Sequence, residues 1–256
     1  MRPNKVKALW REDRPATVGW LSTADPYVVE TMANAGFDAL VLDMQHGMGI
    51  GVDRAAICLQ IISSTETVPI VRVPWNDRVH IQYVLDAGAY GVIVPLVNSY
   101  QEAVKAGGAC RYAPQGYRSV GPNRARFYAG PDYIQYANDE IICLVMIEHI
   151  DTVPLVDEIA KAPGIDGFYI GPSDLAMTMG LSLAIGPREP RHIEACRQVL
   201  KAAREHGLVA GIHCNTPQEA MQQFAQGFRF CPIGTDIGFV SLGARAALKT
   251  VREANT

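Results

Sequence analysis

The sequence predicts an α/β fold: a single (β/α)8 TIM barrel with a short N-terminal helix, residues 1–256 forming one domain. Three observations predict it. Apolar strand-like runs alternate with helical patterns eight times, which calls for parallel strands joined by crossover helices. A glycine recurs where helix hands over to strand, in Ala35-Gly-Phe-Asp, Ala87-Gly-Ala-Tyr, Pro163-Gly-Ile-Asp and Gln226-Gly-Phe-Arg, as a left-handed C-cap requires. The 256 residues are close to the roughly 250 of such a barrel, and no linker or low-complexity stretch divides them.

In order, a helix over about Asn4 to Glu12 precedes the first strand, Thr17–Leu21. Ala24-Asp-Pro-Tyr27 starts the next helix, with Pro26 suited to its first turn. Asp38–Asp43 and Val68–Arg72 are the second and third strands, and Tyr90–Val94 the fourth. The fifth runs from Ile141 to Glu148 with no charge alternating in it, so both its faces are buried. Gly167–Ile170, Leu208–His213 and Phe228–Ile233 complete the eight, and a helix over about Gly238 to Arg252 follows. The one long irregular stretch, Arg111 to Tyr128, carries four arginines and reads either as a lid or as a surface or subunit contact.

The hydrophobic fraction of 48% and charged fraction of 19% are those of a globular protein. A net charge of -3 gives no electrostatic case for nucleic acid or an anionic membrane as partner. No run approaches the roughly 18 apolar residues of a membrane span. The N-terminus has no apolar signal segment, and six scattered cysteines without Cys-x-x-Cys read as reduced, buried thiols. The expected location is cytoplasmic.

Barrel enzymes place their chemistry at the C-terminal strand ends. There the sequence sets Trp20 and Ser22, then Asp43, Gln45 and His46, then Arg72, Pro95, Glu148, Asp174, His213 and Asp236. Glu148 and Asp174, the latter in the turn Gly171-Pro172-Ser173-Asp174, each end or follow an apolar strand. Alone, either acid reads as a cap; at one rim they offer hard oxygen ligands for magnesium or manganese. His46 is the favoured proton carrier, and Asp43 either orients its ring or merely caps the turn. Arg72 needs an anion, a substrate carboxylate or else Glu148 or Asp43. His80, His192 and His206 read as solvent-facing, and His213 as pocket wall or core. All six lysines fall in the N-terminal tail or in predicted helices, which leaves a Schiff base no nucleophile. Gly234-Thr-Asp-Ile-Gly238 is too weak a phosphate cradle for a phosphosugar site.

Several motifs together are more specific: Ser22-Thr-Ala-Asp-Pro-Tyr, Ala35-Gly-Phe-Asp-Ala-Leu-Val-Leu-Asp-Met-Gln-His-Gly, Val71-Arg-Val-Pro, Arg111-Tyr-Ala-Pro-Gln-Gly-Tyr-Arg, Leu144-Val-Met-Ile-Glu148 and Phe168-Tyr-Ile-Gly-Pro-Ser-Asp-Leu175. They resemble the HpcH/HpaI aldolase family over nearly the whole chain after residue 15. The resemblance implies a class II pyruvate aldolase, dependent on a divalent cation (Mg2+, Mn2+ or Co2+), that cleaves 4-hydroxy-2-oxo acids to pyruvate, or a related 2-oxo acid such as hydroxypyruvate, and an aldehyde. It implies His46 as base, Arg72 as enolate stabiliser, Glu148 and Asp174 as metal ligands, and the 2-oxo acid carboxylate beside Ser173 and Asp174. A family aspartate that strengthens the base maps to Asp86. The resemblance further implies a homohexamer, a trimer of dimers, whose last helix packs on a neighbour. In two departures, Met146 stands for a family glutamine that contacts substrate and Gln45 for a family glutamate. The alternatives are an acyl-CoA lyase of the citramalyl or malyl type, or a non-catalytic ligand-binding barrel.

Overall fold

The computed structural model describes residues 1–183 and 189–254. Eight parallel strands close into a barrel in sequence order: β1 (Ala16–Leu21), β2 (Ala39–Asp43), β3 (Val68–Arg72), β4 (Gly91–Val94), β5 (Ile142–Ile147), β6 (Gly167–Ile170), β7 (Val209–Ile212) and β8 (Phe230–Thr235). Each expected strand is present, its ends within two residues of the expected ones. Around them run α1 (Lys5–Arg11), α2 (Pro26–Ala33), α3 (Val52–Ile62), α4 (Arg78–Asp86), α5 (Tyr100–Cys110), α6 (Ala125–Ala129), α7 (Tyr133–Glu140), α8 (Val156–Ile159), α9 (Pro172–Thr178), α10 (Pro190–Glu205), α11 (Pro217–Gln226) and α12 (Asp236–Glu253).

Local chemistry starts these helices where the barrel needs them. Asp25 accepts from the amides of Tyr27 and Val28 at 3.0 Å each, with Pro26 in the first turn of α2. Ser99 caps α5 through the Glu102 amide at 3.2 Å while Glu102 reaches back to the Asn98 amide at 2.6 Å, a reciprocal box. The handover glycines Gly36, Gly88, Gly164 and Gly227 take φ of 96, 107, 83 and 109°, a region that side chains with a Cβ avoid. Strands β2 to β6 are buried on both faces except at Arg72, the last residue of β3, as a sheet covered by helices requires.

The Arg111–Tyr128 stretch is not a lid. It contains most of α6, and three of its four arginines tie it to the end of the barrel remote from the candidate rim. Arg111 donates to the Ile141 carbonyl at 2.8 Å and to Asp166 at 2.6 Å, both just before strands. Arg118 reaches Asp86 at 2.7 Å and the Tyr133 hydroxyl at 2.9 Å, and Arg124 reaches the Ala87 carbonyl at 2.8 Å. The stretch is a strap beneath the barrel. The six cysteines are free and buried, and among the described residues no helix is long and apolar enough to cross a membrane.

Candidate active site

Side chains alternate along a strand, so the inward residues at the C-terminal ends converge on the mouth. The β2–β3 register sets Asp43 directly beside Arg72. Arg72 donates through Nε to Asp43 Oδ1 at 2.8 Å and closes a second contact from Nη2 to Oδ2. Asp43 also accepts the amides of Gln45 and His46, at 3.0 and 3.1 Å, and the Trp20 indole N–H at 3.2 Å. Asp43 therefore caps the turn and anchors Arg72; it holds the backbone of His46 rather than its ring. Burial works against its ionisation, but the Arg72 guanidinium, the His46 amide and the Trp20 indole outweigh burial and hold the carboxyl below the usual range. Arg72 Nη1 keeps its hydrogens for another acceptor, since no protein partner meets it among the described residues. The His46 ring is exposed in the β2–α3 loop.

Across the mouth, Glu148 is 2% exposed, two residues beyond inward-facing Met146 on β5. Its Oε1 accepts the Leu96 amide at 2.8 Å, and Leu96 takes φ of +52°, rare for a residue with a side chain. Gly171, just past β6, is needed for this approach: a Cβ there would fall 2.4 Å from Glu148 Oε2 and 3.1 Å from Met146 Cε. Pro172 then opens α9, with Ser173 and Asp174 exposed in its first turn. Burial, and then the neighbouring Asp174 charge, raise the Glu148 carboxyl above its usual range despite the Leu96 amide and the Arg72 charge. Among the described residues no group of three or more His, Cys, Asp or Glu forms a metal array, so Glu148 and Asp174 stand as a pair. The pair fits a hard divalent cation. One carboxylate is buried with an oxygen that no donor meets, and the second raises its proton affinity where a cation would relieve both.

Between these two sides lies an aromatic floor. Trp20 stacks on Tyr169 at 6.0 Å and meets the His213 ring edge-on at 4.7 Å, and the Arg72 guanidinium lies 5.0 Å over the Trp20 ring. The Tyr169 hydroxyl is 3.1 Å from His213 Nδ1. Burial first, and Arg72 next, push the His213 imidazole down to about 4, so it is neutral at pH 7. His213 is thus pocket wall.

Other expected positions fall elsewhere. Asp86 ends α4 at the remote end of the barrel, paired with Arg118, and is not near His46 of the same chain. Asp236, 1% exposed, accepts the amides of Ser22 and Thr23 at 2.9 and 3.0 Å and so ties the β1–α2 loop to α12. His192 is not solvent-facing: it is 2% exposed, and its Nε2 donates to the Pro172 carbonyl at 2.9 Å, holding the turn that carries Asp174. Lys5 and Lys7 pair with Asp38 and Asp166, leaving no lysine among the mouth residues. Residue reading gave no role to Leu96 or Tyr169. The alternation Gly167, Tyr169, Gly171 was the available signal for Tyr169; Leu96 had none.

The family model for HpcH/HpaI aldolase/citrate lyase matches residues 16–241. The chain belongs to that family. Within this HpcH/HpaI family it is 36% identical to a hydroxypyruvate/pyruvate aldolase of Rhizorhabdus wittichii, over 97% of this chain and 99% of that one. It is also 36% identical to a 4-hydroxy-2-oxo-heptane-1,7-dioate aldolase of Escherichia coli, over 95% and 93%. A crystal structure of a family member from Burkholderia cenocepacia superposes with a TM-score of 0.89 at 31% identity, covering 97% of this chain and 99% of that one.

Proposed function

We propose that this HpcH/HpaI family chain acts as one domain, a class II aldolase that reversibly cleaves 4-hydroxy-2-oxo acids to a 2-oxo acid, pyruvate or hydroxypyruvate, and an aldehyde. The observation that carries it is the facing arrangement of an uncompensated carboxylate pair, Glu148 and Asp174, and a guanidinium with free donors, Arg72. A divalent cation, magnesium, manganese or cobalt, fits the pair and supplies Lewis-acid polarisation of the 2-oxo group when bound.

The chain's own residues account for the rest. A 2-oxo acid becomes nucleophilic at C3 only as its enolate, whose charge gathers on the C2 oxygen. Arg72, fixed by Asp43 and aimed inward, offers that oxygen a donor that needs no reorganisation; losing one such donor typically costs about 2.7–4 kcal/mol. The open first-turn amides of α9 at Ser173 and Asp174 suit the substrate carboxylate, and Gly171 and Pro172 shape that turn. In cleavage a base takes the C4 hydroxyl proton, and His46, exposed in the β2–α3 loop, is the residue we assign to that role. Trp20 and Met146 wall the reacting end. The assembly we propose is a homohexamer, a trimer of dimers. Only Asp236 of α12 is buried, and Ile237, Val240 and Leu248 are 51, 63 and 54% exposed, an apolar stripe suited to a neighbouring copy.

Exchange of pyruvate methyl protons with deuterated water, followed by proton NMR without aldehyde, tests the reading. Exchange should require the cation and fall at least a hundredfold in Arg72→Ala. Folded, cation-loaded protein that exchanges nothing would leave the non-catalytic barrel as the better reading.

A further inference from the structure

The His213 ring is held more tightly than a pocket wall requires. Its amide donates to the Ile170 carbonyl at 3.1 Å, which extends β7 by a residue and turns the side chain inward. The Trp20 ring, edge-on at 4.7 Å, fixes its plane. The Tyr169 hydroxyl, on a side chain with no exposure, has one hydrogen-bond partner among the described residues, His213 Nδ1 at 3.1 Å. A buried hydroxyl that received a proton from Nδ1 would have no acceptor for its own hydrogen. Tyr169 therefore donates to Nδ1, and the ring proton sits on Nε2. Among the described residues that nitrogen has no hydrogen-bond partner, and it is not among the buried orphaned atoms, so it is open to solvent. The result is a neutral N–H donor of fixed direction, beside the guanidinium of Arg72.

We propose that His213 Nε2–H recognises a hydroxyl on C3 of the 2-oxo acid, so that this enzyme prefers 3-hydroxylated donors such as hydroxypyruvate over pyruvate. The inference rests on the aldolase reading above. In the closed barrel β1, which carries Trp20, lies across from β5, and His213, one residue past β7 and two strands from β5, continues that wall by its contact with the Trp20 ring. A 2-oxo acid whose carboxylate and keto oxygens face Glu148 and Asp174 turns C3 toward that wall. A pyruvate methyl there leaves the N–H without an acceptor, whereas a hydroxyl oxygen accepts it. Sites built to bond a hydroxyl discriminate against the analogue lacking it more strongly than apolar walls do. Tyr169 acts through His213 and is a positioning residue, setting the tautomer.

The test compares hydroxypyruvate with pyruvate on the manganese-loaded full chain, as dissociation constants by calorimetry and as kcat/KM with one fixed aldehyde. In the parent both ratios should favour hydroxypyruvate. In His213→Leu, which keeps volume and removes the donor, both should fall about tenfold or more; His213→Gln should restore part of the preference. Nitrogen-15 NMR of the histidine rings should find Nε2 protonated and Nδ1 bare at His213, and the mixed tautomer signature in Tyr169→Phe. An unchanged ratio in His213→Leu, equal losses for both acids, or a proton on Nδ1 would overturn the inference. Methyl-proton exchange of pyruvate by the same preparation separates the two levels: exchange with an unmoved ratio sinks only the role of His213, and no exchange sinks the aldolase reading with it.

Discussion

The two ends of this barrel are both rich in buried charge, and they treat it in opposite ways. At the N-terminal end, among the described residues, Arg111, Arg118 and Asp166 each have a partner of opposite charge. Asp166 accepts from Arg111 at 2.6 Å, from the Cys143 amide at 2.7 Å and from Lys7 at 2.7 Å. Arg118 sits between Asp86, the Tyr133 hydroxyl and the Tyr112 ring. At the C-terminal end Glu148 accepts one amide, neighbours the Asp174 carboxylate and, among the described residues, pairs with no cation, the Arg72 charge acting on it only from a distance. Removing one partner of a satisfied buried pair leaves an orphaned charge and costs several kcal/mol. Removing an acid that is already uncompensated relieves a penalty instead. At the upper end Asp43 is also met, by Arg72 and two amides, and the contrast lies in Glu148, whose charge we propose is left for a ligand.

The largest way to break the comparison is to neutralise one acid at each end. Glu148→Gln should lower turnover at least a thousandfold and leave the metal-free stability to urea unchanged or slightly raised. Asp166→Asn should cost about 3 kcal/mol, read from the same urea curves, with turnover retained in the folded fraction. If the two variants exchanged these effects, the division between the ends would be wrong.

A smaller effect sharpens the upper end. The unfolded chain protonates histidine near pH 6.5, whereas folded His213 stays neutral to about 4. Between these values the unfolded state binds the extra proton, so stability should fall as pH is lowered through that window, by at most about 3 kcal/mol. His213→Leu should flatten that part of the profile. The Asp43 carboxyl, held below its usual range, works in the other window: its contribution is present above about pH 4 and is lost only at lower pH.

How much of this was legible depended on range. The strands and the four handover glycines were readable because each rests on residues within one turn. Glu148, Asp174 and Arg72 were readable because strand ends of a barrel meet at one face. The strap was not, since its arginines find partners such as Asp86 and Asp166, 32 and 55 residues away, which no local pattern encodes. Asp43 lay between: its position beside Arg72 follows from register, but its choice of Arg72 and two amides over the His46 ring needed the loop geometry. His192 was misread although the signal existed, because it continues the buried stripe Ala195, Cys196, Val199, Leu200 and Ala203 at helical spacing.

The central claim, which rests on the proposed function, is that the Glu148–Asp174 pair at the upper rim is left uncompensated so that it can accept a divalent cation. Thermal unfolding with and without manganese tests it most directly, in the parent, Glu148→Gln, Asp174→Asn and Asp166→Asn. A ligand that binds only the folded state raises the midpoint with its concentration. The account predicts a rise in the parent and in Asp166→Asn, and none in Glu148→Gln or Asp174→Asn. No rise in the parent, or an equal rise in Glu148→Gln, would contradict it.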